Sequence, residues 1–133
     1  NILIINNILT ENIEVYADKI HLERVFINIF MNAIKFYDQK KYTHFIHITY
    51  TLNKDTIQIC VEDNGIGIAR ENQQKIFNTF VQIQDETLKA KPKGSGLGLS
   101  IVSKIIQRHK GSIAVESTLK KHSKFFITLP INR

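Results

Sequence analysis

Ile57-Gln58-Ile59-Cys60-Val61-Glu62-Asp63-Asn64-Gly65-Ile66-Gly67-Ile68 alternates apolar and polar residues up to Glu62. That is the period of a strand with one buried face. Asp63 falls on the buried parity, so a carboxylate ends the strand pointing the same way as Ile57, Ile59 and Val61. A charge there is costly unless a partner is supplied. Gly65 and Gly67 follow at once, letting the backbone turn and approach another group without a Cβ in the way. The stretch reads as one wall of a ligand pocket or as a strand running into an ordinary Asp-Asn-Gly turn. Other stretches of the chain decide between the two.

Upstream, Asp18 is a suitable cap for a helix from Lys19 to about Tyr37. Leu22, Val25, Phe26, Ile29, Phe30 and Ala33 recur at helical spacing and form its apolar stripe. Asn28, Asn32 and Lys35 stand at i, i+4 and i+7, within an arc of roughly 60° bordering that stripe. Amides at the edge of a buried face ask for a partner. Downstream, Gly94-Ser95-Gly96-Leu97-Gly98-Leu99 opens a second amphipathic helix over Ser100 to His109. A glycine-rich turn entering a helix presents free N–H groups and a positive dipole end, an arrangement suited to phosphate.

The remaining elements frame these motifs. Ile2 to Ile5 and Ile13 to Ala17 read as short strands separated by a polar turn around Asn6, Asn7 and Thr10. After the Asp38–Lys41 polar loop, Phe45 to Leu52 alternates and forms a hairpin with the strand at Ile57. Ala69 to Phe77 reads as a short helix, and Val81 to Lys93 as an aperiodic polar loop, mobile and at the surface. Ser112 to Ser117 and Lys124 to Leu129 close the chain as strands.

Composition sets the outer limits. The chain has 133 residues, 43% hydrophobic and 23% charged, which fits one globular domain over 1–133 that is a piece of a longer protein. No apolar run is long enough for a membrane span or a signal peptide core. One cysteine excludes an internal disulfide framework or a cysteine-based zinc site, and Cys60 reads as a packing residue. The net charge of +6 suits acidic partners, but no aromatic-interleaved basic stripe points to nucleic acid. Spacing excludes a P-loop and a Rossmann fingerprint, and protein-kinase H-R-D and D-F-G motifs are missing.

The ordered set of Asn28, Asn32, Lys35 and Phe36, then Asp63 to Ile68, then Ile76-Phe77-Asn78-Thr79-Phe80, then Gly94 to Leu99 resembles the ATP-binding catalytic domain of sensor histidine kinases. That family belongs to the superfamily containing gyrase B, Hsp90 and MutL. The resemblance runs from about Asp18 to Pro130. Asn28, where gyrase-type enzymes carry a glutamate, and the Phe77–Phe80 segment point to the histidine-kinase branch.

The resemblance implies an α/β two-layer sandwich: a mixed, largely antiparallel sheet covered on one face by about three helices. It implies that Asp63 accepts from the adenine amino group, with Gly65 and Gly67 shaping that pocket and Phe36 beside it, and that Ile68 and Phe80 also belong to the nucleotide-binding set. Asn32, helped by Asn28, is similar to the Mg²⁺-binding asparagine, and Lys35 to the residue that reaches the phosphates. Lys93, Gly94, Ser95, Gly96, Leu97, Gly98 and Leu99 would hold those phosphates. The implied activity is transfer of the γ-phosphate of MgATP to a histidine on a separate dimerisation domain, and from there to a response-regulator receiver domain. The setting would be cytoplasmic, with a soluble or membrane-anchored parent protein, and this domain itself would contact neither membrane nor nucleic acid. An ATPase clamp, a serine kinase of the same superfamily, or a degenerate nucleotide-binding module are the alternatives.

The sequence departs from the family pattern at Lys93, Tyr37, Lys110, Lys120 and His122, the last three in turns expected to be peripheral. None of His21, His44, His47, His109 and His122 sits in an H-[ED]-x-[RK]-T-P context, so no phosphoacceptor is expected in this chain.

Overall fold

A computed structural model describes residues 2–6, 13–77 and 98–131. In chain order the elements are β1 (Ile2–Asn6), α1 (Lys19–Lys35), β2 (His44–Leu52), β3 (Thr56–Asp63), α2 (Arg70–Gln73), α3 (Gly98–Arg108), β4 (Ser112–Thr118) and β5 (His122–Pro130). The five strands form one sheet in the order β1-β2-β3-β5-β4. β1 runs parallel to β2, and every other pairing is antiparallel. The sheet is therefore mixed and largely antiparallel, as the resemblance implied.

Register places one parity of each strand on a common face. Ile46, Ile48, Tyr50 and Leu52 of β2 stand opposite Asp63, Val61, Ile59 and Ile57 of β3. Those in turn oppose Ser123, Phe125, Ile127 and Leu129 of β5, and β4 adds Ser117, Val115 and Ile113. This is the apolar face. Val25, Ile29 and Ala33 of α1 and Val102, Ile105 and Ile106 of α3 join Ile46, Ile57, Val61, Phe125, Ile127 and Leu129 in one buried core. The other face carries Thr49, Gln58, Glu62, Glu116 and Lys124, the half-exposed pattern expected of a single-sided antiparallel sheet. Cys60 lies there half-buried, and burial pushes its thiol above the ordinary value.

Asp18 caps α1, its carboxylate accepting the His21 N–H at 3.1 Å. That bond is the main reason its carboxyl stays below the ordinary value. The helix ends at Lys35, two residues short of the expected Tyr37, because Phe36 leaves helical geometry with its N–H still on Asn32 O. Two expectations need correction. Ile13 to Ala17 is not a strand: only Glu14 makes an isolated bridge, and the segment is otherwise irregular. Ala69 to Phe77 holds one helical turn, Arg70–Gln73, followed by turns. Its buried and half-buried apolar residues, Ile76 and Phe77, lie in those turns and pack onto the core, Phe77 edge-on to Phe125 at 6.4 Å. The rest of the turn around Asn7 and Thr10, the Asn78–Phe80 segment, the Val81–Lys93 loop and the start of the second glycine motif lie outside the described residues.

Candidate functional site

Three of the expected motifs converge at one end of the apolar face. α1 packs against α3, and Asn28 Oδ1 lies 3.5 Å from where a Cβ on Gly98 would stand. The amide row and the end of the second glycine motif are thus neighbours. Leu99 packs half-buried against the core, and Asn28, Asn32 and Lys35 are all partly buried. The Lys35 ammonium sits 5.5 Å from the Phe36 ring centroid, close enough for a cation–π contact. Phe80, Lys93, Gly94, Ser95, Gly96 and Leu97 lie outside the described residues.

Asp63 is 9% exposed and ends β3. One carboxylate oxygen accepts the Gly65 N–H at 2.9 Å, the only hydrogen bond to it among the described residues. Burial is the largest influence on this carboxyl and pushes it up to about 6; the Gly65 N–H and the Lys41 charge oppose the rise, and Glu62 adds to it. A buried acceptor with spare lone pairs suits a ligand N–H.

The glycines that follow are fixed by what surrounds them. A Cβ on Gly65 would stand 2.5 Å from Phe36 O and 2.9 Å from Asp63 Oδ1. Gly67 has φ +74°, and a Cβ there would run into Thr118 O. Most polar groups of residues 64–68 are tied down. Asn64 accepts the Phe45 N–H at 2.9 Å and donates to Thr43 O at 2.7 Å. Ile66 N–H donates to Phe36 O at 3.1 Å, joining the loop to the end of α1, and Ile66 O accepts from Lys120 N–H. Ile68 N–H donates to Ser117 Oγ at 2.8 Å, while Gln73 Nε2 bridges Ile68 O and Ser117 O at 3.0 and 2.9 Å. The Gly65 N–H on Asp63 Oδ1 is the i to i+2 bond of an Asx turn, so Asp-Asn-Gly is a turn, and one that residues of other elements hold in place. This loop is a fixed wall whose open feature is the Asp63 carboxylate.

Several residues of this wall escaped the sequence reading. Ser117 and Ser123 face each other at 3.0 Å between their hydroxyls, beside Asp63 in register. Both stand at buried parity on their strands, the same signal that marked Asp63. Lys41, in a polar loop with no period, gave no such signal. The β4–β5 turn is also not peripheral as expected, since Lys120 touches the loop directly. The other end of the fold has different contacts. There His109 Nε2 accepts the Asp18 N–H at 3.0 Å while Nδ1 lies 2.7 Å from Ile105 O. Nε2 being the acceptor, the proton is on Nδ1, and neither ring nitrogen is free.

A largely antiparallel sheet with helices on one face makes a two-layer α/β sandwich. At its end, a buried carboxylate beside a stripped-down backbone tied to the end of α1 makes a candidate ligand site. The family model described as histidine kinase-, DNA gyrase B-, and HSP90-like ATPase matches residues 17–133, and the chain belongs to that family. Among curated relatives, sensor protein RprX of Bacteroides fragilis is 38% identical over 131 residues, covering 95% of this chain and 25% of RprX. Sensor histidine kinase RppB of Synechocystis is 39% identical over 120 residues, 89% of this chain and 26% of RppB. The chain thus spans about a quarter of the length of both relatives. Among solved structures, the nucleotide-free catalytic domain of histidine kinase ThkA superposes with a TM-score of 0.78 at 30% identity, over 97% of this chain and 80% of that one. Full-length ShkA in complex with AMPPNP gives 0.77 at 26% identity, over 98% of this chain and 26% of that one. No helix among the described residues is long and apolar enough to cross a membrane.

Proposed function

We propose that this domain binds MgATP and presents its γ-phosphate to a histidine on a dimerisation domain of the same kinase, which then passes it to a response-regulator receiver domain. The observation that carries the reading is the convergence of Asp63, the pinned Gly65–Gly67 wall and the Asn28–Gly98 contact at one end of the sheet. ShkA, of the same fold, holds the ATP analogue AMPPNP.

Asp63 accepts from the adenine amino group, with Phe36 and Ile68 beside the base and Lys35 offsetting the phosphate charge at the Gly98–Leu99 start of α3. Phe80 and Lys93 to Leu97, outside the described residues, are the further nucleotide contacts the resemblance implies. Among the described residues no cluster of three or more His, Cys, Asp or Glu could hold a metal. Mg²⁺ would instead take the Asn32 amide oxygen, with Asn28 beside it, and oxygens of the nucleotide itself. Bound there, it would neutralise phosphate charge, which together with positioning is most of what phosphoryl transfer asks of a protein.

α1 supports the partner half of this reading. Ile27, Met31 and Ile34 each precede a member of the Asn28–Asn32–Lys35 row by one residue, so they line the adjoining strip of the helix. They are 59%, 57% and 42% exposed, and Ile20 on the same strip is 75% exposed. An apolar strip flanking the phosphate-facing row is a surface for the acceptor domain to cover.

The test is incubation with γ-labelled ATP followed by phosphosite mapping. The isolated chain should bind MgATP by calorimetry and take up essentially no acid-labile label. Adding the kinase's own dimerisation domain should label a histidine there, and Asn32→Ala should abolish that labelling. Stoichiometric label on His21 or His109 of the isolated chain, or robust ATP hydrolysis without the partner, would refute the division of labour.

A further inference from the structure

Lys41 occupies an unusual position for a loop lysine. Asp38 shapes the loop that delivers it: Asp38 Oδ1 accepts the Lys40 N–H at 2.9 Å and Asp38 O accepts the Lys41 N–H at 3.1 Å. The Lys41 ammonium then donates to Asn64 O at 2.8 Å, Lys121 O at 2.8 Å and, at a longer 3.4 Å, Gly65 O. An ammonium has three N–H donors, and all three go to backbone carbonyls. It has no carboxylate salt-bridge partner among the described residues. Its carbonyl partners belong to the loop after Asp63 and to the β4–β5 turn that packs on it.

We infer that Lys41 is a positioning residue for adenine recognition: it clamps the Asp63–Gly67 wall to the β4–β5 turn and supplies the positive charge that faces Asp63. The inference rests on the proposed role of Asp63 toward adenine. The charged groups acting on Asp63 are Lys41 and Glu62, of opposite effect, while its neighbour across the strands, Ser123, is neutral. Glu62 has the other parity and faces the far side of the sheet, which leaves Lys41 as the cation that favours ionised Asp63. Arginine would keep the charge, but a planar fork does not reproduce a compact ammonium shared among three carbonyls.

Two consequences separate a positioning role from a merely structural one. Removing the clamp should weaken MgATP binding at every pH. Removing the charge should also move the pH at which affinity declines. An Asp63 that ionises at about 6 accepts from adenine above that pH and loses affinity below it. Without Lys41 the midpoint should rise. If Lys41 accounts for about one pH unit, low in the range for a nearby opposite charge, Lys41→Met keeps about a third of the ionised fraction at pH 6.5. That is a further threefold loss there beyond its loss at pH 8.5.

The experiment is MgATP titration calorimetry of the 133-residue chain from pH 5.5 to 8.5 for wild type, Lys41→Met, Lys41→Arg and Asp63→Asn. Ratios to wild type at each pH cancel the titration of the nucleotide itself. Carbon-13 NMR of the Asp63 carboxyl in the nucleotide-free chain gives the midpoint without any ligand. Lys41→Met should show both effects, and Lys41→Arg should restore the NMR midpoint without restoring the affinity at pH 8.5. Wild-type affinity for Lys41→Met at all pH values overturns the inference, as does a loss with an unmoved Asp63 midpoint. Asp63→Asn binding as tightly as wild type would instead overturn the adenine reading, even where the NMR midpoint moves as expected.

Discussion

Strands β3, β4 and β5 carry one alternation from end to end, yet the two ends of the face they share do opposite things. At one end Ile57 stands opposite Leu129, and Ile113 opposite Ile127, all buried or half-buried against α1 and α3. At the other end the same parity holds Asp63, Ser123 and Ser117, of which Asp63 and Ser123 are buried. The apolar end gains free energy from burial. The polar end costs free energy in the empty protein and is retained where a ligand can use it. Stability and binding should therefore separate along a single strand.

The largest effect should come from the apolar end. Ile127 is 0% exposed at the centre of the core. Ile127→Ala removes most of a buried side chain and leaves a cavity, costing about 2–5 kcal/mol of stability. Urea unfolding should show that loss, while MgATP affinity, measured where the variant is still folded, stays near wild type. A fall in affinity as large as that caused by changing Asp63 would mean the two ends are not separable.

Asp63→Asn should do the reverse. Burial raises this carboxyl from its ordinary 3.8 to about 6, so the folded state favours the protonated form. For a folded-state value raised in this way, the stabilising contribution is complete below about 3.8 and is lost as pH rises through about 6. At pH 8 the charge therefore costs the empty protein up to about 3 kcal/mol. Asparagine keeps an acceptor for the Gly65 N–H and carries no charge, so the variant should be more stable than wild type at pH 8 and closely matched near pH 4. It should also bind ATP roughly 10- to 100-fold more weakly, from losing about 1.5–3 kcal/mol of hydrogen bonding to a charged acceptor. Thermal melts at the two pH values and calorimetry check both halves. Equal stability at both pH values would remove the electrostatic cost from the account.

Much of this contrast could be seen in the sequence because a strand's period is two and needs no tertiary information. The β2–β3 hairpin, the α1 stripe and the misplaced carboxylate at Asp63 all followed from it. Where the register came from elsewhere, the reading was poorer. Ile13 to Ala17 has strand-like residues, but only Glu14 makes a bridge there. Ile76 and Phe77 keep apolar character without a helix, because turns can also bring them to the core. Ser117 and Ser123 carried the parity signal, yet serine is so ordinary on a strand that it drew no attention. Lys41 was illegible in principle: its partners are carbonyls contributed by residues 23 to 80 positions away. The glycine cradle was half legible, since the sequence indicated close approach at Gly65 and Gly67, whereas the approaching groups, Phe36 O and Thr118 O, come from other elements.

The smallest effects sharpen the comparison, because each end has a lysine in the left-handed region. Lys110, with φ 59°, closes α3 beside the apolar end, and Lys120, with φ 66°, turns β4 into β5 at the polar end. A non-glycine residue there costs about 1–2 kcal/mol, while glycine adds about 0.5–1 kcal/mol of backbone entropy to be lost on folding. Both Lys110→Gly and Lys120→Gly should therefore stabilise the chain by roughly 0.5–1 kcal/mol, seen as a rise of about 2–5 °C in Tm. They should part company in binding. The backbone around Lys110 serves the helix end, with Gly111 N–H on Ile106 O at 3.0 Å. Lys120 N–H donates to Ile66 O, within the wall that carries Gly65 and Gly67. Freeing that turn should loosen the wall and weaken MgATP binding about twofold, an energy of about 0.4 kcal/mol, whereas Lys110→Gly should leave it unchanged. Paired melts and titrations of the two variants decide the point. Identical affinities would show that the Lys120 N–H bond to Ile66 O adds nothing to the nucleotide site beyond what Lys41, Asn64 and Ser117 already hold.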